Sequence, residues 1–215
     1  MRIEFIFAYV STGSVLIPLG LSVFQFYRLK GGIVFLFYLL AASLLSDASS
    51  YLLGRNGMNT YPIANAYLLF QFIILAWMYF VEFNHSKLIK YIIFLFLIFF
   101  MINLVGIQGL YVFNTHSNSV AGLILLAISL YFFYNLLKNL PEENIYQLPM
   151  FWISFAVLFY YGGTLLIFLT NNFVIDKSLQ SHRLVWILHN FCNIVKNLLF
   201  AIALWHNYRN LRHSL

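Results

Sequence analysis

The sequence predicts an all-α polytopic membrane protein, a bundle of seven transmembrane helices with its N-terminus outside the cell and its C-terminus inside. Three observations carry this. Hydrophobic residues make up 62% of the 215 and charged residues only 8%, against roughly 25% charged in a soluble domain. Apolar runs long enough to cross about 30 Å of hydrocarbon, roughly 20 residues each, recur along the chain. The apolar/polar alternation of a membrane barrel is absent.

The spans fall near residues 6–27, 31–53, 64–84, 88–108, 118–138, 149–171 and 184–206, so that 1–215 forms a single integral membrane domain. The first follows Glu4 and is interrupted by Ser11, Thr12, Gly13, Ser14 and Pro18, a poor match to a cleavable signal. Gly31 and Gly32 read as the start of the second span, and Gly162 and Gly163 as a packing or kink site in the sixth. Phe94 to Met101 is a lipid-facing or packing run, and the fifth span is plain until Tyr131 and Tyr134. The stretch Asn139 to Pro149, with Glu142 and Glu143, reads as a solvated loop that starts the sixth span. The connections are too short for a folded domain between spans, so any output to the cell is expected to pass through a partner protein.

The net charge of +6 does not point to nucleic acid, because the basic residues are scattered over short loops rather than gathered on one face. They act as topology signals. Arg28, Lys30, Lys87, Lys90, Lys138, Arg209 and Arg212 collect on one side, while Arg2, Arg55, Lys177 and Arg183 collect on the other. The positive-inside rule makes the first side cytoplasmic. The basic tail from Asn207 to Leu215 suits the inner membrane face. The single Cys192 excludes an internal disulfide and any multi-cysteine metal site.

Polar side chains at membrane depth are costly and face the bundle interior. In the second span Ser43, Ser46, Asp47 and Ser50 follow helical spacing and share one face. His189, Asn193 and Lys196 do the same in the last, flanked by Asn190, Cys192 and Asn197. Tyr67 and Gln71 are one turn apart in the third span, as are Tyr160 and Thr164 in the sixth. At about 1.5 Å rise per residue, Asp47, Gln71, Thr164 and His189 reach one layer below the outer face. Lys196 lies deeper, and its stem can reach toward that layer. The expectation is an outward-opening polar pocket with Asp47 as anionic pole and His189 or Lys196 as its cationic partner. The simpler alternative is that these groups hydrogen-bond helices together.

Other uses of the same residues are weaker. A retinal Schiff base on Lys196 would need a nearby carboxylate, and only Asp47 could serve, since Glu82 lies at the far end of its helix and Cys192 stands one turn before the lysine. Intramembrane hydrolases of the ceramidase and adiponectin-receptor type hold zinc through several histidines, and zinc needs three or four protein ligands. Here only His189 is deep in a span, His116 and His182 belong to outer loops, and His85 and His206 to helix ends. A site from His189, Asp47 and His182 would be improvised. No nucleophile motif and no phosphate-binding glycine loop occurs, so an enzyme is not the expectation.

The stretches SLLSDASSYLLGRNGMN, ANAYLLFQFIILAWMYF and VWILHNFCNIVKNLLFAIALW resemble a family of small seven-span membrane proteins common in Bacteroidota. Its pattern places an acid late in the second span, a Tyr-x-x-x-Glu pair in the third and a Trp-x-x-His-x-x-x-Asn run in the last. The matching positions are Asp47, Tyr67, Gln71, Trp186, His189, Asn193 and Asn197. Gln71 departs from the acid, and Lys196 lies outside the pattern. The resemblance implies a multi-pass protein of the cell inner membrane, a sensory component that accompanies a histidine kinase. The expected function is therefore a receptor-like or sensory protein with an outward pocket for a small ligand, signalling through a partner. The alternative is a small-molecule or proton-coupled carrier or channel, against which the absence of an internal repeat counts mildly.

Overall fold

The protein is described from a computed structural model, which covers the backbone of residues 3–139, 144–175 and 179–213 and the side chains of these residues except 3, 166, 168–175, 179–182 and 211–213. Expectations attached to Arg2, Glu142, Glu143, Lys177, His182 and Arg212 lie outside these. The chain is 88% helix, with no strand among the described residues. Its helices are α1 (Ile3–Ser14), α2 (Leu16–Phe24), α3 (Val34–Arg55), α4 (Tyr61–Glu82), α5 (Lys87–Ile102), α6 (Thr115–Asn139), α7 (Pro149–Ile175) and α8 (Leu179–His213). Because α1 and α2 continue one another, these make seven rods. Six segments are long and apolar enough to cross a membrane: Glu4–Phe24, Gly31–Arg55, Tyr61–Glu82, Lys87–Ile107, Thr115–Asn139 and Arg183–Asn210. The apolar stretch Pro149–Leu165 of α7 is shorter. The chain is built as a multi-pass membrane protein, with large apolar side chains such as Phe94, Leu95, Met101, Leu123 and Leu130 exposed on its outside.

The break between α1 and α2 has a local cause. Pro18 has no N–H to give to the carbonyl of Ser14, and its ring crowds that carbonyl, so the helix parts at Val15. At the start of the second span Gly31 adopts φ +58° and leads into a 3₁₀ turn, Gly31–Ile33, that runs directly into α3. The Asn59 side chain accepts the Tyr61 N–H at 2.8 Å and Pro62 occupies the first turn, which together start α4. At its far end α5 widens into a π-helical turn, Asn103–Ile107.

The rods close into a ring. The first rod packs against α8, its α2 half also against α3; α3 packs on α4, α4 on α6, α6 on α7, and α7 on α8. The fourth rod, α5, docks on the outside of α4, where the Phe72 and Phe96 rings lie 3.8 Å apart. One end of the bundle carries the start of α1 together with Arg55, Phe113 and Arg183. This is the amino-terminal face. The opposite, carboxy-terminal face carries Arg28, Lys87, Lys138 and Arg209.

Polar side chains clamp the first rod to the last. Asn193 Nδ2 donates to Ser11 Oγ at 2.9 Å and Asn197 Nδ2 to Ser14 Oγ at 2.8 Å. Farther down, Gln25 Nε2 donates to the Leu204 carbonyl at 3.0 Å and Asn207 Nδ2 to Gln25 Oε1 at 3.2 Å. At the amino-terminal face Arg183 and Glu4 form an ion pair at 3.4 Å. Within the carboxy-terminal half, Tyr79 and Ser154 hydroxyls meet at 3.1 Å and Ser129 Oγ donates to the Ser154 carbonyl at 2.7 Å, joining α4, α6 and α7.

The contact between α7 and α8 depends on a missing side chain. A Cβ at Gly163 would sit 2.7 Å from the Cys192 Sγ. The expected outcome for Gly163→Ala is a loss of about 1–3 kcal/mol of stability from overpacking, read as a lower Tm in detergent. Adding Cys192→Ala removes the obstructing sulfur and should return most of that loss.

Candidate functional site

Four rods face one another beneath the amino-terminal face and leave a cavity of about 220 Å³. The second rod supplies Ser43, Ser46, Asp47 and Ser50, the four positions that helical spacing places on one side of α3. From α4 come Tyr67 and Gln71, with Ala64 and Leu68 beside them; α7 gives Tyr160 and Tyr161; and α8 gives Trp186, His189, Asn193 and Lys196. Ten of the twelve residues expected from sequence therefore meet around one space.

The two exceptions are corrections. Thr164 is fully buried but does not line the cavity; its hydroxyl donates to the Tyr160 carbonyl at 2.6 Å, satisfying itself within its own helix. Asn197 also lies off the cavity, because its amide is committed to Ser14 on the first rod. Helical spacing placed both on polar faces, yet each face spans two neighbours, and these residues sit toward the helix contact. Asn193 occupies the boundary, lining the cavity while holding Ser11.

The charged groups are arranged apart rather than paired. Lys196, 5% exposed, lays its ammonium 4.3 Å from the centre of the Tyr160 ring, a cation–π contact. Asp47 is half-buried, with the Thr12 hydroxyl among its polar neighbours. Each charge acts electrostatically on the other, yet the described residues include no direct Asp47–Lys196 ion pair. His189 stands edge-on between Trp186 at 5.4 Å and Tyr160 at 5.8 Å. The hydroxyls of Tyr67 and Ser43 lie within hydrogen-bonding reach of each other. Gln71 is 5% exposed, and its amide nitrogen has no hydrogen-bond partner in the protein, a costly omission in a water-poor interior.

A roof that the sequence pattern did not reveal comes from the connection between the fourth and fifth rods. Phe113 and Asn118 line the cavity from there. Asn65 Nδ2 donates to the carbonyls of Leu110 at 2.9 Å and Val112 at 3.0 Å, and Asn59 Nδ2 to that of Tyr111 at 2.8 Å. Phe113 then packs edge-on against Tyr61 at 6.3 Å. Behind the roof Asn103 donates to Ser117 Oγ at 2.8 Å, and Gln108 donates to Thr115 Oγ1 at 2.7 Å. The polar residues crowded between Asn103 and Asn118 were the available signal. Tyr161, which also lines the cavity, stood next to Tyr160 without a polar pattern of its own.

No group of three or more His, Cys, Asp or Glu side chains among the described residues is placed to hold a metal, and the His182 that the zinc alternative requires lies outside them. Comparison with known protein families, curated proteins and solved structures finds no match.

The electrostatic link between Asp47 and Lys196 is measurable. Asp47→Asn and Lys196→Met should each lower the Tm, because each leaves one charge uncompensated in a low-dielectric interior. The double variant should be more stable than the sum of the two losses, by a coupling of about 0.5–3 kcal/mol. Strictly additive losses would show that the two charges stand independently.

Proposed function

We propose that the protein is a receptor-like membrane sensor that binds a small ligand in the cavity beneath its amino-terminal face, with that face outward, and passes the resulting change to a partner protein. The observation that carries this reading is the convergence of Asp47, Gln71, His189 and Lys196, from three separate rods, on one space of about 220 Å³. Groups this costly at membrane depth mark functional positions by default. A roofed pocket with convergent polar groups and an aromatic wall is the form that small-molecule sites take. Its serine- and amide-rich lining suits a compact polar molecule better than a long polyene on Lys196.

Toward the carboxy-terminal face the interior is closed by packed apolar side chains, among them Leu36, Leu40, Leu75, Met78, Ile153, Val157, Phe200 and Leu204, each 1% exposed or less. That plug sets the reading against an open channel, which needs a continuous polar path to both sides. The sequence excess of basic residues on the side of the plugged end, seven (Arg28, Lys30, Lys87, Lys90, Lys138, Arg209 and Arg212) against four (Arg2, Arg55, Lys177 and Arg183), supports the outward orientation. The resemblance to a Bacteroidota family of sensory components points the same way for the partner.

The ligand reading is tested by thermal unfolding in detergent against a panel of small polar metabolites. A true ligand at a hundred times its Kd adds about 2.7 kcal/mol, a clear rise in Tm. Ser46→Trp, which fills the cavity with an indole, should abolish that rise. Identical responses from wild type and Ser46→Trp across the panel would defeat the proposal. Orientation is read separately, on a Cys192→Ala background. Asn56→Cys should react with an impermeant maleimide on intact cells and Ser86→Cys only after permeabilisation; the reverse pattern would turn the cavity toward the cytoplasm.

A further inference from the structure

Resting on the pocket just proposed, we infer that its ligand is a small amino-acid-like zwitterion, whose ammonium faces Asp47 and whose carboxylate faces Lys196 and the unpartnered amide of Gln71. The lining holds one anionic and one cationic side chain that do not touch. Had the pair existed only to neutralise itself, the long lysine stem could have closed the gap. Instead its ammonium rests on the Tyr160 ring at 4.3 Å, and the Asp47 carboxylate has the Thr12 hydroxyl beside it. Each pole is thus held by a weak, replaceable partner, with the cavity between them.

A ligand of one sign would match one pole and face the other with a like charge, or with none to offer it. A ligand carrying both signs satisfies both and leaves the site neutral, which matters where charges are removed from water. Gln71 adds an independent pointer. Its amide nitrogen is a buried donor with nothing to donate to, on the cavity wall, and a carboxylate oxygen is the acceptor it lacks. Sequence depth agrees with the polarity, since Lys196 enters from farther below the amino-terminal face than Asp47 does. Size sets the class further. A cavity of about 150 Å³ accepts benzene, so about 220 Å³ corresponds to roughly nine non-hydrogen atoms, the scale of an amino acid rather than a peptide or nucleotide. Trp186 and His189 supply a wall for an apolar side chain.

The test uses the full chain in lipid nanodiscs and six probes of similar size, with binding followed by calorimetry up to millimolar concentration. Leucine and its isomer 6-aminohexanoate carry both charges at different spacings. 3-Methylbutylamine and hexylamine lack the carboxylate; 4-methylpentanoate and hexanoate lack the ammonium. The expected result is that at least one zwitterion binds about tenfold or more tighter than both its single-charge analogues, as the loss of a charge-assisted contact implies. In Asp47→Asn that zwitterion should bind no better than its acid analogue, and in Lys196→Met no better than its amine analogue. An amine or acid that equals its zwitterion, or no binding by any of the six, overturns the inference. Because the wild-type series alone decides this, poor folding of a variant does not rescue it. If the metabolite panel still shows Ser46-sensitive stabilisation while the zwitterion series fails, the pocket stands and only its assigned ligand class falls.

Discussion

A hydrocarbon layer offers no water to hydrogen-bond with, so a buried polar group left without a partner is costly, and hydrogen bonds between amides and hydroxyls on different rods tie this bundle together. Apolar matching alone cannot order the rods, since lipid tails are as apolar as leucine. What sets their neighbours is the distribution of amides and hydroxyls. Asn193 and Asn197 on α8 find Ser11 and Ser14 on α1, and Gln25 on the link after α2 finds Asn207 and a backbone carbonyl. Tyr79, Ser129 and Ser154 join three further rods at the opposite end. Between these ties the cavity opens, and on its wall the Gln71 amide nitrogen is left without a partner beside two opposite charges that do not pair.

That unmet capacity is what separates the site from ordinary packing. Thr164 and Asn197 are as polar as Gln71 and more deeply buried, yet the hydroxyl of the first and the amide nitrogen of the second donate to neighbours. Gln71 does not, and neither Asp47 nor Lys196 settles on the other. The roof over them is built the same way as the bundle, by amides reaching backbone carbonyls, with Asn65 and Asn59 holding the connection that presents Phe113. The Phe113 ring is fixed in turn by Tyr61. The site is thus a rigid-walled recess whose unsatisfied capacity points inward.

Much of this was legible from residue order. Apolar runs located every rod to within a few residues, although α8 extends over Leu179–His213, well past the apolar stretch 184–206, because its polar ends still bond within the helix. Helical spacing correctly gathered Ser43, Ser46, Asp47 and Ser50 on one side of α3, and His189, Asn193 and Lys196 on one side of α8. Spacing fixes a face but not the neighbour that meets it. For this reason Asn197 and Thr164 read the same as true lining residues. The roof was legible only in part: the polar residues between Asn103 and Asn118 mark the connection, but Phe113 is presented through hydrogen bonds to backbone carbonyls, which no side-chain pattern reports. The break at Val15, by contrast, follows from Pro18 alone.

The clamp between the first rod and the last has a consequence for biosynthesis. Ser11, Ser14 and Gln25 precede the side chains they meet on α8 by 182, 183 and 182 residues. At about 5–20 residues per second, the Ser11 hydroxyl and the Gln25 amide wait roughly 10–40 seconds for these partners, whereas the Ser14 hydroxyl already donates to the Ser11 carbonyl at 2.6 Å within its own helix. The ring therefore closes only after α8 has been synthesised, and until then those groups are available to whatever insertion machinery or lipid headgroups can shelter them.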